Sequence, residues 1–253
     1  MTSSIQTESV VFGSSYLDLI KYAYDQNHLV YITTITWLFK INSQHIDLLK
    51  LYMSFDVPNV TIETVKKSKT FLNQITLNFV NFSTKSIKIF KNGHVQVTGL
   101  SSYFECVQVS NMTLEWLNKF IPSSDSFSYK MVCNSQRIVM INLSLDTNIN
   151  SFIILKDLCK TLNEDPHVLL SSYAPENHRG IVVKLKSGVS LFVFHTGRII
   201  MTHSSILGLK EGYINMCHHF VNGNTNDVPI YKKNIDTVLY GYDIKDLMGL
   251  VTV

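Results

Sequence analysis

The chain is short of most of the signatures that give a protein's chemistry away. Its 4 cysteines, Cys106, Cys133, Cys159 and Cys217, lie far apart with no C-x-x-C pair, which argues against a zinc ribbon and against a disulfide framework. No G-x-x-x-x-G-K-[ST] occurs, so no phosphate-cradling loop of that type is present, and no nucleophile-elbow spacing surrounds any serine. Apolar runs such as "VFGSSYLDLIKYAY" and "IDTVLYGYDIKDLMGLVTV" are broken by charge well short of the roughly 18–20 residues that a membrane span needs. The first residues, "MTSSIQTESVVFG", carry no basic segment ahead of their apolar ones, so no secretory signal is read and the protein is expected inside a cell. Charge is also sparse: a net +3 over 253 residues permits a polyanionic partner without demanding one.

What the chain does have is a repeated pattern. "SIKIFKNGHVQVTGLS" (86–101) and "SLFVFHTGRIIMTHSS" (190–205) each carry an alternating run, a Phe, a turn ending in Gly, and a second alternating run that reaches Thr. Gly93 and Gly197 supply the positive φ that a short hairpin turn requires. Upstream of each hairpin stands a β-branched stretch (29–41 and 132–145), then a helical one, then a strand candidate (72–80 and 180–187); a second helical stretch follows (103–119 and 206–220). The first helices are read with Ile46, Leu48, Leu49, Tyr52 and Met53 on one face, and with Phe152, Leu155, Leu158, Cys159 and Leu162 on the other repeat's face. Ile138 follows Ile32 by 106 residues, His178 follows Phe71 by 107, and Phe194 follows Phe90 by 104. Near-constant offsets across successive elements indicate an internal duplication. We therefore expect an N-terminal arm (1–27), two repeats (28–121 and 127–222) and a C-terminal extension (223–253).

Alternation assigns faces. In the second hairpin Leu191, Val193, Ile199 and Met201 share one face, and Phe192, Phe194, Ile200 and Thr202 share the other, so both are largely apolar. In the first, Ile87, Ile89, Val95 and Val97 oppose a mixed face of Lys88, Phe90, Gln96 and Thr98. If helices cover one face, the other is buried elsewhere or offered to a ligand. Core packing is the ordinary reading of a strand Phe; the recurrence of Phe and Thr on the face opposite the aliphatic one is what points to binding.

This order of elements resembles the TATA-box-binding protein family. The most specific stretch is "SSYAPENHRGIVVKL" (171–185), where Ser171, Ser172, Tyr173, Pro175, Glu176 and Gly180 stand as in the family's second-repeat stirrup, and both hairpins resemble the family's hairpins. The resemblance covers roughly residues 30–220. It implies an α+β saddle: two strand-helix-strands-helix repeats forming a curved antiparallel sheet with helices on its convex face. It also implies a non-enzymatic transcription initiation factor that bends double-stranded, A·T-rich DNA through the minor groove, by wedging Phe pairs between base steps. Working in the nucleus or at a viral replication site, such a factor would recruit a transcription factor IIB-like protein or RNA polymerase subunits.

Carried over by position, the resemblance makes Phe71 and Phe90 the first wedge pair and His178 and Phe194 the second. It places Thr98 and Thr202 at groove-facing threonines, Ile32, Ile138 and Ile200 at groove-facing valines, and Val30 and Gln136 at two central asparagines. Lys88 and Gln96 replace aliphatic residues on the same face, Phe192 joins it in the second repeat, and Tyr173, Pro175 and Glu176 are the partner-binding candidates. No cofactor or metal is implied. Divergent copies of this kind look like those of large eukaryotic DNA viruses. Lys66, Lys67 and Lys69 are placed to meet phosphates or simply to be solvated. His218-His219, in a helical stretch with Cys217, raises a metal site, set aside because adjacent helix residues point about 100° apart and no partner pair is visible. Two other classes remain: a saddle kept as a protein-interaction module without specific DNA binding, and an accessory domain of a nucleic-acid-processing enzyme, for which no catalytic segment is seen.

Overall fold

The computed structural model describes residues 2–43, 45–54, 56–58, 60–63, 73–79, 85–119, 128–147 and 153–221. They fall into two compact units, one spanning Thr33–Ile141 and the other combining Met1–Ile32 with the residues from Asn142 onward. The boundaries cut through the strand that opens each repeat, β1 (Leu29–Lys40) and β6 (Arg137–Asp146).

In the unit spanning Thr33–Ile141, β2 (Val60–Glu63), β3 (Gln74–Phe79), β4 (Ser86–Phe90), β5 (His94–Leu100) and β1 form an antiparallel array in the order β2-β3-β4-β5-β1. The register pairs Ile75 with Ile89, Ile89 with Val95, and Val95 with Phe39. All four side chains are fully buried, as are Ile87, Val97 and Trp37. Helix α3 (Tyr103–Lys119) packs on β5 over this layer. Ser102 caps it by accepting the Glu105 N–H (3.2 Å), while the Glu105 carboxylate accepts the Ser101 N–H (2.7 Å) and pairs with Lys85. Burial alone would raise the Glu105 carboxyl; the Lys85 ammonium and the Ser101 donors outweigh it and hold the group below the usual range. The Trp37 indole N–H donates to Ser110 Oγ (3.0 Å), and the Tyr103 ring meets the indole edge-on at 5.5 Å, which ties α3 to β1.

The other unit repeats the plan. β7 (Val168–Ser172), β8 (Gly180–Leu185), β9 (Ser190–Phe194) and β10 (Arg198–His203) join β6 in the order β6-β10-β9-β8-β7. Ile181, Val183, Val193, Ile199 and Met201 are fully buried on one face. Helix α5 (Ile206–Val221) lies on β10 and α4 (Leu155–Glu164) on β7. The duplication extends to single hydrogen bonds. Gly93 N–H bonds Phe90 O and Gly197 N–H bonds Phe194 O, both at 3.0 Å; Ile46 N–H bonds Lys91 O at 2.9 Å and Ile153 N–H bonds His195 O at 2.8 Å. The two hairpin glycines have φ of 82° and 81°, as the turn chemistry predicts.

One feature departs from expectation. The first-repeat helix, α2 (Leu48–Ser54), buries Leu48 and Leu51 behind Ile46 but leaves Leu49, Tyr52 and Met53 exposed, so the apolar face read from the sequence is turned mostly outward. In the second repeat, Leu155 and Leu162 are buried with Leu158 and Cys159 half-buried, while Phe152 lies outside the described residues. The N-terminal arm is a 24-residue helix, α1 (Thr2–Asp25), packed against α5. It stops in a left-handed Asn27 (φ 61°), with Asn27 N–H on Tyr24 O and His28 N–H on Ala23 O, the two bonds of a Schellman motif.

Directly after that stop, His28 is buried beneath α5, its Nδ1 2.7 Å from the Tyr213 hydroxyl. Burial lowers its pKa from 6.5 to about 4, against a smaller upward pull from the Asp146 carboxylate. A base whose folded pKa is depressed stabilises the fold fully only above its unfolded value, and that contribution is lost as pH falls from 6.5 towards 4. The unfolding free energy from urea titrations is expected to fall over that window, by up to about 3 kcal/mol from this group. The fall should be smaller in His28→Gln, which stays neutral; an equal fall in both proteins contradicts the assignment.

Candidate nucleic-acid interface

Each unit's sheet has a second face that its helices leave half-exposed. In the first repeat this face consists of three cross-strand rows. Gln74 stands beside Phe90; Thr76, Lys88, Gln96 and Leu38 follow one another across four strands; Asn78, Ser86 and Thr98 form the third. All are half-buried. The Ser86 and Thr98 hydroxyls bond each other at 2.9 Å, and Lys88 is the one charge on these rows of β3, β4 and β5.

The second repeat has the same lattice with different chemistry. Gly180 stands beside Phe194; Val182, Phe192 and Ile200 make the middle row; Lys184, Ser190 and Thr202 make the third. Thr202 Oγ1 bonds Asn142 Oδ1 at 2.8 Å. In the middle rows Thr76, Lys88 and Gln96 thus correspond to Val182, Phe192 and Ile200. One repeat presents donors and a cation where the other presents three apolar side chains.

The aromatic residues of the second repeat form a connected cluster. Phe192 and Phe194 meet at 5.0 Å and 64°, and the exposed His178 ring stands edge-on to Phe192 at 5.7 Å. His178 belongs to the β7–β8 connection, where the Asn177 and His178 amides both donate to Ala174 O (2.9 and 2.8 Å). That turn exposes Pro175 and Glu176 and leaves Tyr173 half-buried. Gly180 is required beneath the cluster: a Cβ there would stand 2.6 Å from Val193 O and 3.2 Å from the Phe192 ring.

Of the other sequence-derived residues, Ile32 and Ile138 are half-buried on β1 and β6, and the Ile32 N–H donates to the Tyr16 hydroxyl (3.1 Å). Gln136 precedes β6, half-buried, with its amide against the Met131 sulphur. Val30, which the resemblance sets at a family asparagine and which carries no amide, is buried at 2% exposure. Phe71, Lys66, Lys67 and Lys69 lie outside the described residues. Val182 and Asn142 were missed, although the alternation of "GIVVKL" and of "MINLSL" places each on the same face as Phe192 or Thr202.

Among solved structures, the TATA-box-binding protein (TBP) of Methanococcus jannaschii superposes with a TM-score of 0.57 over 77% of this chain and 98% of its own, at 18% identity. The fold is that of TBP. It is α+β, with antiparallel sheets that do not close into barrels and helices on one face of each. A rolling-circle replication initiator from Geobacillus stearothermophilus covers 78% of the chain at a TM-score of 0.33 and 9% identity, too distant to bear on the fold. No protein-family model and no curated protein sequence matches the chain.

The TBP-like sheet face of the second repeat therefore rests on the small residue at 180. Gly180→Ala is expected to destabilise the protein by about 1–3 kcal/mol and to alter aromatic near-ultraviolet dichroism, because Val193 O is backbone and cannot yield. An unchanged melting temperature and spectrum would remove Gly180 from this role.

Proposed function

We propose that this protein is a non-enzymatic DNA-binding transcription initiation factor, a divergent TBP that binds promoter DNA in the minor groove with the half-exposed sheet faces and bends it. The observation that carries this reading is the pair Phe90 and Phe194. Each ends the first strand of its hairpin, half-exposed at the same position of the duplicated lattice and directly before the same glycine-closed turn. Apolar wedges at repeated positions unstack base steps, and the resulting bend lets more of the sheet meet the groove.

The two repeats would read the groove differently. Val182, Phe192 and Ile200 offer no acceptor to the guanine amino group, which projects into the minor groove, so this half selects A·T pairs by excluding G·C. Thr76, Lys88 and Gln96 donate to the acceptors that every base pair presents there, and the glutamine carbonyl also accepts from guanine, so this half tolerates either pair. The preferred site is asymmetric: A·T-rich under the second repeat, relaxed under the first. Few cations stand on these rows, so the salt dependence of binding is shallow for a DNA-binding protein. The turn carrying Tyr173, Pro175 and Glu176 is the surface for a transcription factor IIB-like protein or a polymerase subunit. The protein acts in a nucleus or at a viral replication site, as the copies encoded by large DNA viruses would.

Replacing Phe90 and Phe194 together by Ala is expected to weaken binding to an A·T-rich duplex by roughly tenfold or more while the far-ultraviolet spectrum is kept. Fluorescence anisotropy measures it. Equal affinity in a folded double variant sinks the wedge mechanism, and absence of binding by the unmodified protein turns the same faces over to a protein partner.

A further inference from the structure

Away from the sheet faces, the unit that holds the second repeat gathers three metal-ligating side chains from distant parts of the sequence. Asp165 ends α4, and His218 and His219 lie in the last turn of α5. His219 Nε2 stands 2.6 Å from Asp165 Oδ2, and His218 Nε2 stands 3.4 Å from the same oxygen. The two rings lie 4.0 Å apart at 38°, and the three donor atoms are all within 4.8 Å of one another. Adjacent helix positions diverge by about 100°, so the rings converge only because both reach towards one point.

That point is shaped for a ligand on one side and for the protein on the other. The second carboxylate oxygen, Oδ1, accepts the His167 N–H at 2.7 Å, which keeps Oδ2 turned to the imidazoles. The Asp165 and His219 side chains are 4% and 10% exposed, while His218 is 52% exposed and opens the cluster to water. One protonated imidazole suffices to balance one buried carboxylate. A second imidazole aimed at the same oxygen adds a donor that a simple ion pair does not need.

We propose that Asp165, His218 and His219 form a site for a divalent transition-metal ion, Zn²⁺ foremost, that clamps the end of α5 to the end of α4. Two imidazole nitrogens and a carboxylate oxygen are a donor set that Zn²⁺ takes at about 2.0–2.2 Å, with water filling the remaining position on the exposed His218 side. Ligands at that range around a tetrahedral ion stand about 3.3–3.6 Å apart. The His218–Asp165 separation already has that value, and the His219–Asp165 pair opens by less than about 1 Å to admit the ion. Any proton on either Nε2 leaves to solvent as the metal–nitrogen bond forms. The site asks nothing of the DNA-binding face.

Titration of the full chain, stripped with a chelator, with Zn²⁺ by calorimetry and with Co²⁺ by visible absorption tests it. Saturation at about one ion per chain below about 100 µM is expected, with a rise in melting temperature of several degrees. His218→Ala removes an exposed side chain and should leave the metal-free protein folded; it is expected to lower the affinity at least tenfold and abolish the rise. Cys133→Ser removes the exposed thiol and should change neither. Overturning results are Zn²⁺ binding undiminished in His218→Ala, binding lost in Cys133→Ser, or no saturable binding below about 1 mM.

Discussion

The period-two alternation of the two hairpins is the constraint on which the remaining structure depends. Ile87, Ile89, Val95 and Val97 in one, and Leu191, Val193, Ile199 and Met201 in the other, must all face the helix-covered side, and each is 2% exposed or less. A slip of one residue between β4 and β5 would drive the Gln96 amide and its neighbouring threonine under α3. An unpaired amide there costs several kcal/mol, so the register is held by what it keeps out of the core as much as by what it puts in. The turn glycines enforce the same register: a Cβ at Gly93 would stand 2.3 Å from Ser43 O, so the loop leaving β1 closes over that turn only because no side chain is there.

Fixing one face frees the other. Side chains that point away from the helices contribute little to the fold, so the repeats retain matching cores while the middle row of the outer face differs completely, Lys88 against Phe192 and Gln96 against Ile200. The few outer positions that still agree are Phe90 with Phe194, Ser86 with Ser190 and Thr98 with Thr202. Both threonines are hydrogen-bonded to a polar neighbour on their own face, to Ser86 in one repeat and to Asn142 in the other, which orients them without burying them. Agreement where packing does not require it is the physical ground for reading these positions as a site.

The hairpins, the order of elements and the face assignments were legible because alternation and turn glycine are local signals that burial then obeys. The errors lie where local pattern is ambiguous. In the seven-residue α2, Leu48 and Leu51 form one stripe and Leu49, Tyr52 and Met53 another, and sequence alone does not say which stripe meets the sheet. β2 and β7 are short edge strands, the latter with a bulge between Val168 and Leu170 that breaks its alternation. The convergence of His218 and His219 on Asp165 joins residues more than fifty positions apart, which no spacing rule reports.

The central claim is that a face with few charges grips DNA by bending it. Resonance energy transfer between dyes at the two ends of a short A·T-rich duplex, measured as the unmodified protein is added, tests that claim most directly. A shortened end-to-end distance that saturates with binding, and is absent on a G·C-rich duplex, is the expected result; binding that leaves the distance unchanged would contradict it.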